Sequence, residues 1–440
     1  IYFAAIRSRI ILNPFPYHLN AEEVISKIET INPGVVFCQE PHFKQLSKSR
    51  FNVVNIEDLA GRSFVDFLVK TQSVDFSKIS VNRESVAVLY YSSGTTGNQK
   101  IIEYSHRSMV LTQASMLRAS FTEFNSVHLC VLPLGHTAAI RYTIKQCICT
   151  ASTVVLYNSF WKLRNNLWDD IKKYGATFME VVPSILIAIL NTPYKNFNVE
   201  KIRSMNFIGC GSAFLPKNVQ DSFEEKFSIP IANLYGLSET GATHFDDPRK
   251  PGRKTGNIGI PFDLFDVKIF DQDGNEISDE SMGEIGIRGP GLLKGYFFNE
   301  ELFKSSFNKD YFMTGDLGYR DNQGIYYYVD RKKDIIIKGG VNINPSEIDE
   351  VLQSHPEIIE AATIGKPDAF MGETIKSYVV TRFGKEIDPK TLKIFCQKKL
   401  GDFKLPSEFE FLESLPKGPS GKILKRVLRT KEVNEIRFEK

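Results

Sequence analysis

From residue 1 to about residue 241, short β-branched runs alternate with stretches whose apolar residues recur at helical spacing. That alternation limits the fold more than any other feature. Segments 35–38, 86–91, 127–132, 152–156, 178–182, 204–209 and 229–234 read as buried strands, and 21–31, 105–119 and 163–174 read as helices between them. A chain written this way buries both faces of a mostly parallel sheet beneath helices. The expected class is α/β.

The texture changes near Gly252. Segments 267–270, 283–288 and 324–329 are short strands divided by Asp-x-x-Gly turns at 271–274 and 321–324, which predicts a small antiparallel sheet or barrel. After Asp330 come a helix over 345–355 with Asn344 as its cap, strands at 363–364 and 376–382, and a Lys-rich helix over 389–400. At 440 residues the chain is too long for one ordinary core. The expected division is a large domain over 1–329, with α/β subdomains to about 250 and a barrel-like part over about 251–329, then a small α+β lid over 330–440. The sequence has no Met at its start and opens inside an amphipathic stretch, so further residues are expected before Ile1. Arg7 and Arg9 interrupt its apolar run, which argues against a signal peptide.

A formal charge of +3 lacks the basic stripe that nucleic acid demands. No apolar run reaches the ~20 residues of a membrane span. Cys38, Cys130, Cys147, Cys149, Cys210 and Cys396 are scattered without zinc or redox spacing, as in a cytoplasmic protein with reduced thiols.

Ser92-Ser93-Gly94-Thr95-Thr96-Gly97, closed by Lys100, follows the strand at 86–91. Glycines let backbone N–H groups turn toward oxyanions, and the hydroxyls add donors. A Walker loop is excluded, because no Gly-Lys-Ser/Thr stands at the required spacing. The run resembles the signature loop of the adenylate-forming superfamily, which includes acyl-CoA synthetases, 4-coumarate–CoA ligases, beetle luciferases and the adenylation domains of peptide synthetases. Gln99 stands where relatives usually carry proline.

Further segments match that family in order. In Asn233-Leu234-Tyr235-Gly236-Leu237-Ser238-Glu239, the resemblance implies that Tyr235 stacks on adenine and Ser238 contacts the α-phosphate, with Asn233, Gly236 and Leu237 alongside. Glu239 and Thr96 would hold Mg²⁺. Gly211, Ser212 and Ala213 resemble the loop between adenine and the acyl pocket. Asp316 and Arg331 look like the ribose-binding pair, and Lys422 like the mobile lysine that bridges carboxylate and α-phosphate.

The mechanism so implied is activation of a carboxylic acid by ATP, catalysed by Lys422, Glu239, Thr96 and His136, followed by transfer to a phosphopantetheine thiol. Asp330 maps to the hinge, and rotation about it would bring Lys338, Gly339 and Gly340 beside the pantetheine arm. His136 would border the carboxylate and gate the thiol, with Gly135 where relatives carry an aromatic. Thr137 and Ala138 replace the aspartate that amino acid-activating relatives place there, so a fatty, short-chain or aryl acid is expected. CoA is the expected thiol. An acyl carrier protein is the alternative, and luciferase-type oxygenation is a more distant one. Lys390, Lys393, Lys398, Lys399 and Lys404 could meet a carrier protein or CoA phosphates, or simply form a solvated face. A monomer or homodimer is expected.

Overall fold

The computed structural model describes residues 1–15, 19–40, 42–57, 75, 78–91, 100–120, 122–135, 137–194, 197–382, 385–418 and 421–438. Its largest sheet has seven strands, in the order Ile260–Pro261, Gly241–Phe245, Ile231–Leu237, Phe207–Gly211, Phe178–Val181, Val127–Cys130 and Thr153–Leu156. The last five run parallel, and the first two are antiparallel additions at one edge.

Side chains alternate across each strand, so the two faces bury different sets. Met179, Val181 and Ile208 pack with Trp168, Leu186 and Phe223 from helices Leu167–Tyr174, Pro183–Leu190 and Lys217–Phe227. Phe178, Phe207 and Ala232 face the other way, toward Met116 of helix His106–Ser120 and toward Val267 and Ile285 of the next sheet. That second sheet is antiparallel and five-stranded. Asp266–Phe270, Gly283–Arg288 and Tyr311–Arg320 are flanked by Phe307–Asn308 and Tyr326–Arg331. Both Asp-x-x-Gly turns form, with Gly274 and Gly324 donating to the carbonyls of Asp271 and Asp321 at 3.3 and 2.9 Å.

Three strand readings need correction. Val86–Tyr91 is buried, but it pairs antiparallel with Ile101–Ser105 in a separate three-stranded sheet rather than joining the parallel one. Val36–Cys38 pairs with Val53–Asn55 in a two-stranded sheet. The strand expected to stop at Leu234 continues to Leu237 and turns back on itself, placing Tyr235 opposite His244. Periodicity reports burial equally in either pairing direction, which is why it cannot tell these apart.

The C-terminal part carries its own five-stranded sheet, with Val341–Ile343, Ile336–Lys338, Gly372–Thr381 and Ile358–Asp368 in order and Glu408–Phe411 parallel to Gly372–Thr381. Helices Pro345–Gln353 and Pro389–Gln397 cover Ile336, Ile375 and Val379. Each begins with Pro after a capping residue. Asn344 accepts from Ser346 N at 2.9 Å and Asp388 from Lys390 N at 3.1 Å, and such caps contribute ~1 kcal/mol each. No described helix is long and apolar enough to cross a membrane.

Candidate active site

A cavity of about 400 Å³ opens where the parallel sheet, the antiparallel sheet and the C-terminal part meet. Lys100, Gly211, Ser212, Leu237, Ser238, Glu239, Arg331 and Lys422 all line it. An adjoining cleft of about 60 Å³ is lined by Ala213, Asn233, Tyr235, Gly236 and Asp316, and it shares Arg331 and Lys422 with the first. Chain segments separated by more than three hundred residues therefore converge on one space.

The strand ends explain how. Tyr235, Gly236 and Leu237 form the last turn-ward residues of a sheet strand, where open α/β sheets present ligand-binding groups. The turn after them is closed by the Thr240 hydroxyl, which accepts from Leu237 N at 3.0 Å. This turn carries Glu239 inward. Its Oε1 accepts from the Tyr296 hydroxyl at 3.2 Å, and burial raises its pKa while Lys100 and Arg331 pull it down. Among the described residues no group of three His, Cys, Asp or Glu side chains is arranged to hold a metal ion. A single buried carboxylate facing an anion site nonetheless fits Mg²⁺, which takes one or two protein carboxylates and completes its shell with water and phosphate oxygens.

Asp316 and Arg331 lie directly opposite each other in paired strands. Arg331 Nε approaches Asp316 Oδ1 at 2.6 Å, and the Tyr235 hydroxyl donates to Oδ2 at 2.8 Å. Burial raises the pKa of Asp316, with Arg331 as the main opposing influence. The Tyr235 ring lies between His244 and Tyr328, with centroids 5.3 and 6.4 Å away.

Lys422 enters from the C-terminal part on a small hairpin. Gly418 N donates to the Lys422 carbonyl at 2.8 Å, and Gly421 turns at φ +76°. Gly421 sits so near the Pro183–Leu190 helix that a Cβ there would stand 2.7 Å from Ser184 Oγ. This close approach lets the half-buried Lys422 side chain reach the cavity. It makes no ion pair among the described residues. Burial, then the Arg331 charge, bring its ammonium down to about 8, while Asp316 and Asp334 oppose the shift.

Asp330, the expected hinge, is buried and accepts from both the backbone N and the hydroxyl of Ser346, at 3.0 and 2.6 Å. Lys338, Gly339 and Gly340 form the exposed turn of a hairpin and do not reach the cavity. The Lys338 ammonium donates to the Phe403 carbonyl at 2.8 Å. Ser92, Ser93, Gly94, Thr95, Thr96, Gly97 and His136 lie outside the described residues.

Tyr296, Tyr142 and Glu180, all on the cavity wall, stand outside the sequence motifs. For Glu180 a signal existed, since it is a lone carboxylate inside an apolar strand.

The AMP-binding enzyme profile matches residues 1–297, and the AMP-binding enzyme C-terminal domain profile matches residues 347–422. The chain belongs to the AMP-binding enzyme family. Among its relatives is the sulfoacetate–CoA ligase of Cupriavidus necator, 35% identical over 342 residues, an alignment that covers 77% of this chain and 66% of that protein. The peroxisomal OPC-8:0-CoA ligase 1 of Arabidopsis thaliana is 31% identical over 93% of this chain and 77% of its own length. Among solved structures, ATP-bound MatB from Rhodopseudomonas palustris superposes with a TM-score of 0.90 at 25% identity, covering 98% of this chain and 85% of that one. The o-succinylbenzoate CoA synthetase MenE of Bacillus subtilis, in complex with ATP and magnesium, gives 0.82 at 26% identity, covering 98% and 86%.

Proposed function

We propose that this family member is an ATP-dependent carboxylic acid–CoA ligase. A carboxylate oxygen attacks the α-phosphorus, the bond to the β-phosphate breaks, and pyrophosphate leaves an acyl-AMP. The CoA sulfur then attacks the acyl carbon, and AMP departs as the thioester forms. The observation that carries this reading is the seat of Lys422, from the far end of the chain, in the same cavity as Glu239, Ser238 and Arg331.

Two anions must be brought together, so the residues have first to neutralise and align them. Asp316 and Arg331 are suited to the ribose, and Tyr235 to the base. Lys422 would bridge the carboxylate and α-phosphate as a point charge in a desolvated setting, where such a contact is strongest. Glu239 would hold Mg²⁺ together with Thr96. When bound, that ion draws charge from the phosphate oxygens. Lys100 and the 92–97 loop would cradle the phosphates, and His136 would border the substrate carboxylate and gate the thiol.

For the second half, Lys422 must withdraw. Direct polar ties across the interface include Lys217 N to Glu350 Oε1 at 3.2 Å and Arg382 to Asn191. Rotation about Asp330 as hinge, between a large part ending at 329 and a lid over 330–440, would replace Lys422 with the Lys338–Gly340 turn. The named relatives are CoA ligases, which favours CoA over a carrier protein. Six free cysteines suit a reducing compartment, and we place the enzyme in the cytoplasm as a monomer or homodimer.

The test is acid-dependent exchange of labelled pyrophosphate into ATP across a panel of acids, followed by transfer to CoA or to a holo carrier protein. Exchange with at least one acid and an AMP-linked CoA thioester are expected. A folded, ATP-binding sample that exchanges with none contradicts the reading.

A further inference from the structure

Glu180 stands in the middle of the Phe178–Val181 strand and is 3% exposed. Strand alternation sends Met179 and Val181 into the helix-covered core, and turns Glu180 to the cavity face beside Thr137, Tyr142 and Gly211. Its carboxyl lies over the backbone of the neighbouring strand. A Cβ on Gly209 would fall 2.1 Å from Oε2, and one on Gly211 would fall 3.6 Å from Oε1. Gly209 supplies the room that this carboxyl occupies, and Gly211 borders it at van der Waals distance.

Oε2 is buried and has no hydrogen-bond partner among the described residues. No cation pairs with the group there either, and burial holds it well above the usual carboxylate range. Arg141, the chain neighbour of Tyr142, is buried and packs its guanidinium on the Tyr104 ring at 4.0 Å. Tyr142 is carried toward the cavity by the π-helix Ala139–Ile144, a widened turn of the kind often found at functional sites. The base and ribose, which carry the nucleotide's donors, are assigned to the adjoining cleft of Tyr235 and Asp316, which Glu180 does not line, and the phosphates are acceptors. An alkyl chain laid over the carboxyl would seal it off unsatisfied, which is costly. The group that completes it must arrive on the acid.

We propose that Glu180 determines acid specificity, selecting carboxylic acids whose far end carries a hydrogen-bond donor, a hydroxyl or an amine, over plain alkanoic acids. This inference rests on the ligase reading.

Wild type, E180Q and E180L are compared by kcat/KM in pyrophosphate exchange with alkanoic, ω-hydroxy, ω-amino and dicarboxylic acids of matched length. Dissociation constants of the matching non-reactive acyl-sulfamoyl adenosines give a second readout without turnover. Wild type should favour a donor-bearing acid by at least about tenfold, and E180L should shift that ratio toward the alkanoic acid by a similar factor. E180Q separates the two donors, because an amide tolerates a hydroxyl but cannot balance an ammonium. An alkanoic or dicarboxylic acid that wild type handles as well or better, or a ratio unmoved in E180L, overturns the inference. If E180L does not fold, the wild-type panel and E180Q decide. Exchange without donor preference defeats this inference alone, whereas no exchange with any acid, in a folded and ATP-binding sample, defeats the ligase reading and this with it.

Discussion

Asp316 and Arg331 face each other across two adjacent strands with Oδ1 and Nε 2.6 Å apart, and Tyr235 closes on the other carboxylate oxygen at 2.8 Å. The pair fixes the carboxylate proposed to take two vicinal hydroxyls and the aromatic ring proposed to lie under the base. Asp316→Asn keeps the shape and removes the charge, so KM for ATP should rise about tenfold, ~1.4 kcal/mol, with KM for the acid little changed. Asp316→Ala strands a largely buried guanidinium and should also cost ~3 kcal/mol of stability, read as a drop in the thermal unfolding midpoint.

Lys422 acts as a cation in this mechanism, and its ammonium titrates at about 8 rather than 10.5. The protonated form is the active one, so kcat/KM for adenylation should fall as pH rises through about 8. Lys422→Arg stays charged and should lose that alkaline limb, although its absolute rate will be lower because the fork does not match a point contact. An alkaline limb near 8 in the variant would assign the titration to another group.

Gly421 is where the lysine hairpin touches the large part of the molecule. Valine there meets Ser184 and must adopt φ +76°, a region β-branched residues avoid. Gly421→Val should therefore slow acyl-AMP formation by ~100-fold by displacing Lys422. Transfer from supplied acyl-AMP to CoA, measured on the same sample, should be spared.

Glu239 is one of the two proposed protein ligands of Mg²⁺, with Thr96. Glu239→Gln should raise the Mg²⁺ concentration for half-maximal exchange by at least about tenfold. Tyr296→Phe removes the 3.2 Å hydrogen bond to that carboxylate while leaving the carboxylate itself, and should move it a few-fold. Titration of Mg²⁺ at fixed ATP separates the two.

Much of this site is legible in the sequence, because its residues sit in short motifs whose order survives along the chain. Glu239, Asp316, Arg331 and Lys422 stand out in those motifs, and the fold brings them to adjoining cavities. Pairing partners are harder to read. The buried run at 86–91 looks the same to a hydrophobic pattern whether it joins a parallel sheet or a hairpin, and only the tertiary contacts with Ile101–Ser105 decide. Glu180 escapes for a related reason. A carboxylate within Phe-Met-Glu-Val-Val is visible as an anomaly, but its meaning depends on which face of the strand meets the cavity, and that follows from the register with Gly209.

In the proposed mechanism Lys422 serves the first half-reaction and leaves before the second. Lys422→Ala, assayed separately for acid-dependent pyrophosphate exchange and for CoA transfer from supplied acyl-AMP, tests it most directly. Exchange reduced by at least ~100-fold, with transfer within a few-fold of wild type, is expected. Equal losses in both halves, or exchange that persists, would contradict it.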